Sequence, residues 1–168
     1  YNEKNEILVR KRPSKGMLAS MLEVPNDNWV MNKKSLVTAN KAMLAIHGDE
    51  LSDLAEKYNV SLNYEAAVAG GIPIVKTIRE SLSGNKIEKV YGILNGTSNY
   101  ILTKMEDASS SFKEVLSEAQ EKGFAEQDPK NDIDGIDSAH KISILTSIAF
   151  GSMIDFKNVY VEGIRKIE

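Results

Sequence analysis

The stretch GFAEQDPKNDIDGIDSAHKISILTSIAF, residues 123–150, opens on a glycine, passes through a loop crowded with carboxylates and ends in a nearly unbroken apolar run. Gly123 is placed to close a preceding helical pattern over Phe112–Glu121, since glycine accepts the left-handed conformation that ends helices. A helix is expected over Asp134–Phe150, polar in its first turns and then apolar through Ile142, Ile144, Leu145, Ile148 and Ala149. Its second half should therefore be buried, holding the charged first turns at the edge of a core.

Working outward, apolar runs alternate with helical patterns. A short strand is expected at Ser35–Thr38, helices at Lys41–His47 and Glu50–Tyr58, and a strand at Ser61–Val68. A Gly70, Gly71 turn leads to a helix over Pro73–Leu82, with proline suited to its first turn. Strands are expected again at Ile87–Leu94 and Val159–Ile167, with a helix over Thr97–Met105 between them. Such alternation predicts an α/β layer architecture.

The front of the chain reads differently. Glu6–Lys11 is a short β-like run, Pro13 and Gly16 punctuate the residues after it, and Pro25 to Asn28 mark a turn after Met17–Val24. The texture changes across residues 31–35, so the chain divides into a leader, 1–34, and a main unit, 35–168. Tyr1 at the start and Glu168 inside an expected strand read as the ends of a piece.

Composition narrows the function classes. The chain has 168 residues, 42% apolar and 27% charged, ordinary values for a folded globular protein. A net charge of -3 with the basic residues dispersed argues against a phosphate-backbone partner, hence no nucleic acid. No stretch approaches the roughly 18 apolar residues of a membrane helix, so no membrane partner and a cytoplasmic location are expected. With no cysteine, the chemistry must use oxygen and nitrogen groups.

The acidic residues Glu126, Asp128, Asp132, Asp134 and Asp137 lead into Lys141. Asp137 and Lys141 are four apart, on one helix face. Burial of Lys141 would disfavour its charged form while Asp137 favours it, an opposition that tunes proton-transfer groups; an exposed ion pair is the plain alternative. A calcium loop over the same acids fails because Lys130 and Lys141 stand where acidic ligands belong. Glu65 to Gly71, EAAVAGG, sets small residues around one carboxylate and could turn carbonyls toward a hard cation, or be a tight turn. Asn95, Gly96 and Thr97 begin a helix, where N–H groups either favour an anion or are simply capped. His47 and His140 have no serine–aspartate set around them and read as structural. Neither GxGxxG nor a P-loop is present.

Together, VTANKAMLAIHG (37–48), YEAAVAGGIPIVKTIRE (64–80), YGILNGTSNYILTKM (91–105) and GFAEQDPKNDIDGIDSAHK (123–141) resemble homoserine dehydrogenase in order and spacing, from Leu36 onward. The resemblance implies a catalytic-domain-like mixed sheet with helices on one face, the Rossmann domain largely missing, and a homodimer. It implies NAD(P)-dependent interconversion of L-homoserine and L-aspartate 4-semialdehyde, on the route to threonine and methionine. Lys141 would then be the general acid and base, with Asp137 beside it as the second catalytic residue. Glu126, Asp132, Gly96 and Thr97 would bind substrate; Lys41 and Gly123 would lie near the NADP or NAD. Glu65 and the carbonyls of Val68, Gly70 and Ile72 would hold a monovalent cation, sodium or potassium. Without its nucleotide domain the chain alone is not expected to turn over, and a non-catalytic amino-acid-binding module is the alternative. Residues 7–25, ILVRKRPSKGMLASMLEVP, are similar instead to the C-terminal Nudix-like domain of adenine-specific DNA glycosylases.

Overall fold

Parallel strands cannot be joined by a tight turn, so a parallel pair demands a crossover. In the computed structural model, which describes residues 10–11, 22–23 and 35–167, strand β3 (Ser35–Val37) pairs in parallel with β4 (Ser61–Asn63), Leu36 opposite Leu62. The crossover is helix α1 (Lys41–Lys57), whose first turn is capped by the Asn40 side chain accepting from the Met43 N–H at 3.1 Å. Ahead of this unit, β1 (Arg10–Lys11) and β2 (Leu22–Glu23) form a short antiparallel pair. The remainder of the glycosylase-like stretch, and the division near residue 34, lie outside the described residues.

After β4 come a single helical turn α2 (Glu65–Val68), α3 (Ile74–Lys76) continuing as a π-turn over Thr77–Ser81, α4 (Gly96–Ala108), α5 (Phe112–Glu121), the turn α6 (Lys130–Ile133) and α7 (Ile136–Phe150). Two apolar clusters hold them. Leu44, Val68, Val75, Ile78, Ile144 and Leu145 join α1, α2, α3 and the apolar half of α7. Ile101, Val115, Ala119, Ala125 and Ile133 join α4, α5 and α6. Ile101 and Ile144 are completely buried, and truncating either to alanine would cost about 2–5 kcal/mol.

The α/β class is as expected, and the expected helices are present, with informative differences. The two expected helices of α1 are one, because Gly48 is not a break: a Cβ there would meet Ile154 Cδ1 at 2.5 Å, so the glycine admits a neighbour. The strand expected over Ser61–Val68 stops at Asn63, since the Glu65 carboxylate accepts N–H bonds from Val75 at 2.8 Å and Lys76 at 2.9 Å and draws the chain into a turn. Ile87–Leu94 and Val159–Ile167 are not ladder strands among the described residues, so the sheet is smaller than expected. In the last segment the Ile164 N–H donates to the Ile133 carbonyl at 2.8 Å, and Gly163 lies so close that a Cβ would meet the same oxygen at 2.8 Å. Arg165 adds an ion pair to Asp134, Nη2 to Oδ2 at 3.0 Å.

Candidate active site

The charged first turns of α7 lie where that helix leaves its core. Asp137 occupies the first turn, behind a Gly135 in left-handed conformation (φ 81°), and Lys141 follows one turn later. Lys141 Nζ lies 2.7 Å from Asp137 Oδ2 and donates to the Leu94 carbonyl at 2.6 Å. The lysine side chain is 16% exposed and the aspartate's 10%, so this is no solvated surface pair. From the start of α1, Lys41 Nζ reaches the other oxygen, Asp137 Oδ1, at 3.0 Å, while keeping 36% of its own side chain exposed.

A second carboxylate joins through an amide. Asn95 Nδ2 donates to Asp137 Oδ2 at 2.9 Å and to Asp132 Oδ1 at 2.7 Å, while its carbonyl oxygen accepts the Ser98 N–H and caps α4. Ser98 Oγ in turn donates to the Asp132 carbonyl at 2.9 Å. The cluster therefore sets two lysines against two carboxylates, close to neutral overall. Burial pushes the Asp137 carboxyl up, but the hydrogen bonds from Lys141, Asn95 and Lys41 together win and hold it below the ordinary carboxylate value. His140, its ring 4.5 Å from that of Phe156, is held below its ordinary value by burial and then by the Lys41 charge, with Asp137 opposing.

The structure thus brings Asp132, Asp137, Lys141 and Lys41 into one hydrogen-bonded cluster. Gly96 and Thr97 begin α4 beside it; Thr97 is buried and its hydroxyl donates to the Phe124 carbonyl at 2.9 Å, one residue past Gly123. Gly123 itself closes α5 with φ 74°. Glu126 stands outside the cluster, its side chain exposed and its backbone carbonyl accepting from Gln120 at 3.0 Å. Asp132 also lines an open cavity of about 360 Å³ with Ser98, Ser138, Tyr91 and Tyr160, a space that neither lysine borders. Sequence reasoning does not single out Asn95 as a member of the cluster. Its capping role is visible in the sequence as an asparagine before a helical pattern, but its bridging role has no local signal.

Around Glu65 the same two amide bonds that end the strand occupy one site on each carboxylate oxygen, and the Ile72 carbonyl accepts the Ile74 N–H at 2.8 Å. Among the described residues no three His, Cys, Asp or Glu side chains gather as a metal centre. Among them, too, no helix is long and apolar enough to cross a membrane.

The family profile described as homoserine dehydrogenase matches residues 73–168, more than half of the chain and all of the carboxylate–lysine cluster except Lys41. The chain belongs to the homoserine dehydrogenase family. Homoserine dehydrogenase of Neisseria gonorrhoeae is 52% identical over 139 residues, covering 83% of this chain and 32% of that protein. The crystal structure of a homoserine dehydrogenase from Thiobacillus denitrificans superposes with a TM-score of 0.77 at 52% identity, over 78% of this chain and 30% of that one. A hyperthermophilic archaeal homoserine dehydrogenase solved in complex with NADPH superposes with a TM-score of 0.72 at 34% identity, over 80% and 41%. The chain spans about a third of the length of the curated relatives it matches.

Proposed function

We propose that this chain carries the substrate-binding and proton-transferring part of a homoserine dehydrogenase site, interconverting L-homoserine and L-aspartate 4-semialdehyde with NADP or NAD. The observation that carries this reading is Lys141, largely buried and aimed by Asp137 Oδ2 and the Leu94 carbonyl. In the reductive direction Lys141 Nζ gives a proton to the aldehyde oxygen as it becomes a hydroxyl; in the oxidative direction it takes that proton back. Asp137 holds both lysines in place and, together with Asp132, balances their charge. Asp132, with Oδ1 fixed by Asn95, and Glu126 are the carboxylates offered to the substrate's ammonium, and Gly96 and Thr97 shape the floor beside them.

A nicotinamide dinucleotide, when bound, would supply the two-electron transfer. The residues fit such a neighbour at two points: Lys41 leaves a third of its side chain open beside Asp137, and Gly123 presents backbone with no side chain one residue from the Thr97 contact. A monovalent cation at Glu65 with the carbonyls of Val68, Gly70 and Ile72 is the second implied group. Its all-oxygen donors suit such an ion, and each Glu65 oxygen keeps a lone pair beyond its amide bond. There the ion would brace the α2–α3 turn and take no part in proton transfer.

A cytoplasmic homodimer is the proposed assembly. The exposed Tyr91, Ile93, Met153 and Tyr160 are support for it, since a partner would remove that apolar surface from water. Light scattering on the purified chain tests the assembly. For the activity, homoserine oxidation is followed by nicotinamide absorbance with the chain alone and with a separately expressed nucleotide-binding domain of the family. Activity restored on mixing and abolished by Lys141→Ala supports the assignment. A folded chain that binds homoserine yet stays silent on mixing overturns it in favour of a binding module.

A further inference from the structure

Asn95 works through both ends of its side chain. The carbonyl oxygen accepts the Ser98 N–H at 2.7 Å, the ordinary work of a helix cap. The amide nitrogen has two hydrogens, and each meets a carboxylate: Asp132 Oδ1 at 2.7 Å and Asp137 Oδ2 at 2.9 Å. The orientation is forced, because a reversed amide would turn its oxygen toward both carboxylates and its nitrogen toward an N–H. These two bonds span 37 and 42 positions of sequence and tie α6 and α7 to the start of α4. Asparagine is 7% exposed here, so water does not substitute freely for the amide.

The consequence falls on Asp137. Its Oδ2 receives both Asn95 and Lys141, its Oδ1 receives Lys41, and with donors on these sides the carboxylate cannot turn without breaking at least one bond. We propose that Asn95 is a positioning residue for proton transfer: by tying Asp137 to Asp132 its amide fixes the carboxylate that aims Lys141, and keeps the substrate-facing Asp132 in register with it. This rests on reading Lys141 as the group that moves the proton. Asn95 touches neither substrate nor cofactor in this scheme and acts through Asp137.

Capping and positioning call for different chemistry, which makes them separable. Serine caps helices as well as asparagine but has no second hydrogen to bridge two carboxylates. In the full chain, Asn95→Ser is therefore compared with wild type by NMR titration of the side-chain carboxyl carbons. The groups facing Asp137 are Lys41 from α1, Asp132 from α6 and Lys141 with His140 on α7, and they are unchanged in the variant. The expected result is a folded protein in which the Asp137 midpoint moves up by about one unit, as loss of a charge-directed hydrogen bond requires. In the mixed-domain assay kcat should fall about 10- to 100-fold with KM within a few-fold, because misaimed groups lose rate before affinity.

A serine variant with wild-type titration and wild-type kcat overturns the proposal, leaving Asn95 as a cap alone. If the serine variant does not fold, Asn95→Asp decides, since aspartate also caps. The third carboxylate should then raise the Asp137 midpoint further, and an unmoved midpoint overturns the proposal. Silence of the wild type in the mixed-domain assay counts against the proposed function, while the titration still decides the role of Asn95.

Discussion

Two carboxylate–lysine pairs with the carboxylate one helical turn ahead of the lysine, Glu118–Lys122 and Asp137–Lys141, sit in opposite surroundings. On α5, Glu118 and Lys122 form an ion pair that also touches the Tyr100 hydroxyl, with the lysine side chain 49% exposed. On α7, Asp137 and Lys141 form one that is largely buried and branches to Lys41, Asn95 and the Leu94 carbonyl. Spacing alone puts both on one helix face. What separates them is the surroundings: water screens the first, whereas the second is held by groups from two other parts of the chain, Lys41 at the start of α1 and the Leu94–Asn95 segment before α4.

The largest effect that would sharpen this comparison is catalytic. With the nucleotide-binding domain supplied, Lys141→Ala should lower the rate of homoserine oxidation by about 10²- to 10⁴-fold, the usual worth of a positioned acid–base group, whereas Lys122→Ala should leave it unchanged. Equal losses would break the comparison. Next comes stability. Asp137→Ala leaves two lysines without their shared counter-charge, and the midpoint of urea denaturation should report a loss of about 3 kcal/mol.

How far this difference was legible can be argued residue by residue. The sequence marks α5 plainly by its pattern over Phe112–Glu121 and the Gly123 that closes it, and the structure adds a reciprocal cap between Ser111 and Glu114 with Val115 and Ala119 buried. It marks the apolar half of α7 equally well. It cannot reveal that Asn95 reaches Asp132 and Asp137, since those contacts are made by folding and not by neighbours along the chain. Ile87–Leu94 has the composition of a strand, yet pairing depends on a distant partner, and its Tyr91 is 83% exposed. Gly48 shows the reverse error: a residue that reads as a break is there to admit Ile154.

The pH dependence of stability sharpens the comparison further. The Asp137 carboxyl is held below its ordinary value in the folded chain, so at any pH above the unfolded value, about 4, its full contribution is present. As pH falls through the folded value the carboxylate is protonated and that contribution is lost. Urea midpoints measured from pH 7 down to pH 3 should therefore drop, and Asp137→Asn should flatten part of that drop. His140 acts in a higher window: being held below its ordinary value, it disfavours the fold as pH falls below about 6.5, and His140→Gln should remove a small decline there. A wild-type curve flat between pH 7 and pH 5 would show that His140 does not contribute.

The smallest expected effect is the one that gives the larger ones meaning. Glu118 is also held below its ordinary value, first by its hydrogen bond from Lys122 and then by Tyr100, so direction of shift alone does not set the two pairs apart. Its shift arises in water, where the entropy of fixing two long side chains offsets a screened attraction. Glu118→Gln should consequently leave the urea midpoint at pH 7 within error of wild type, and raising the salt to 1 M should not separate the two proteins. The Asp137→Ala difference should survive the same salt, because ions do not screen a buried pair to the same extent. A salt-sensitive loss at Asp137 would place both pairs in the same class, and burial would then no longer explain why only one of them belongs to the proposed site.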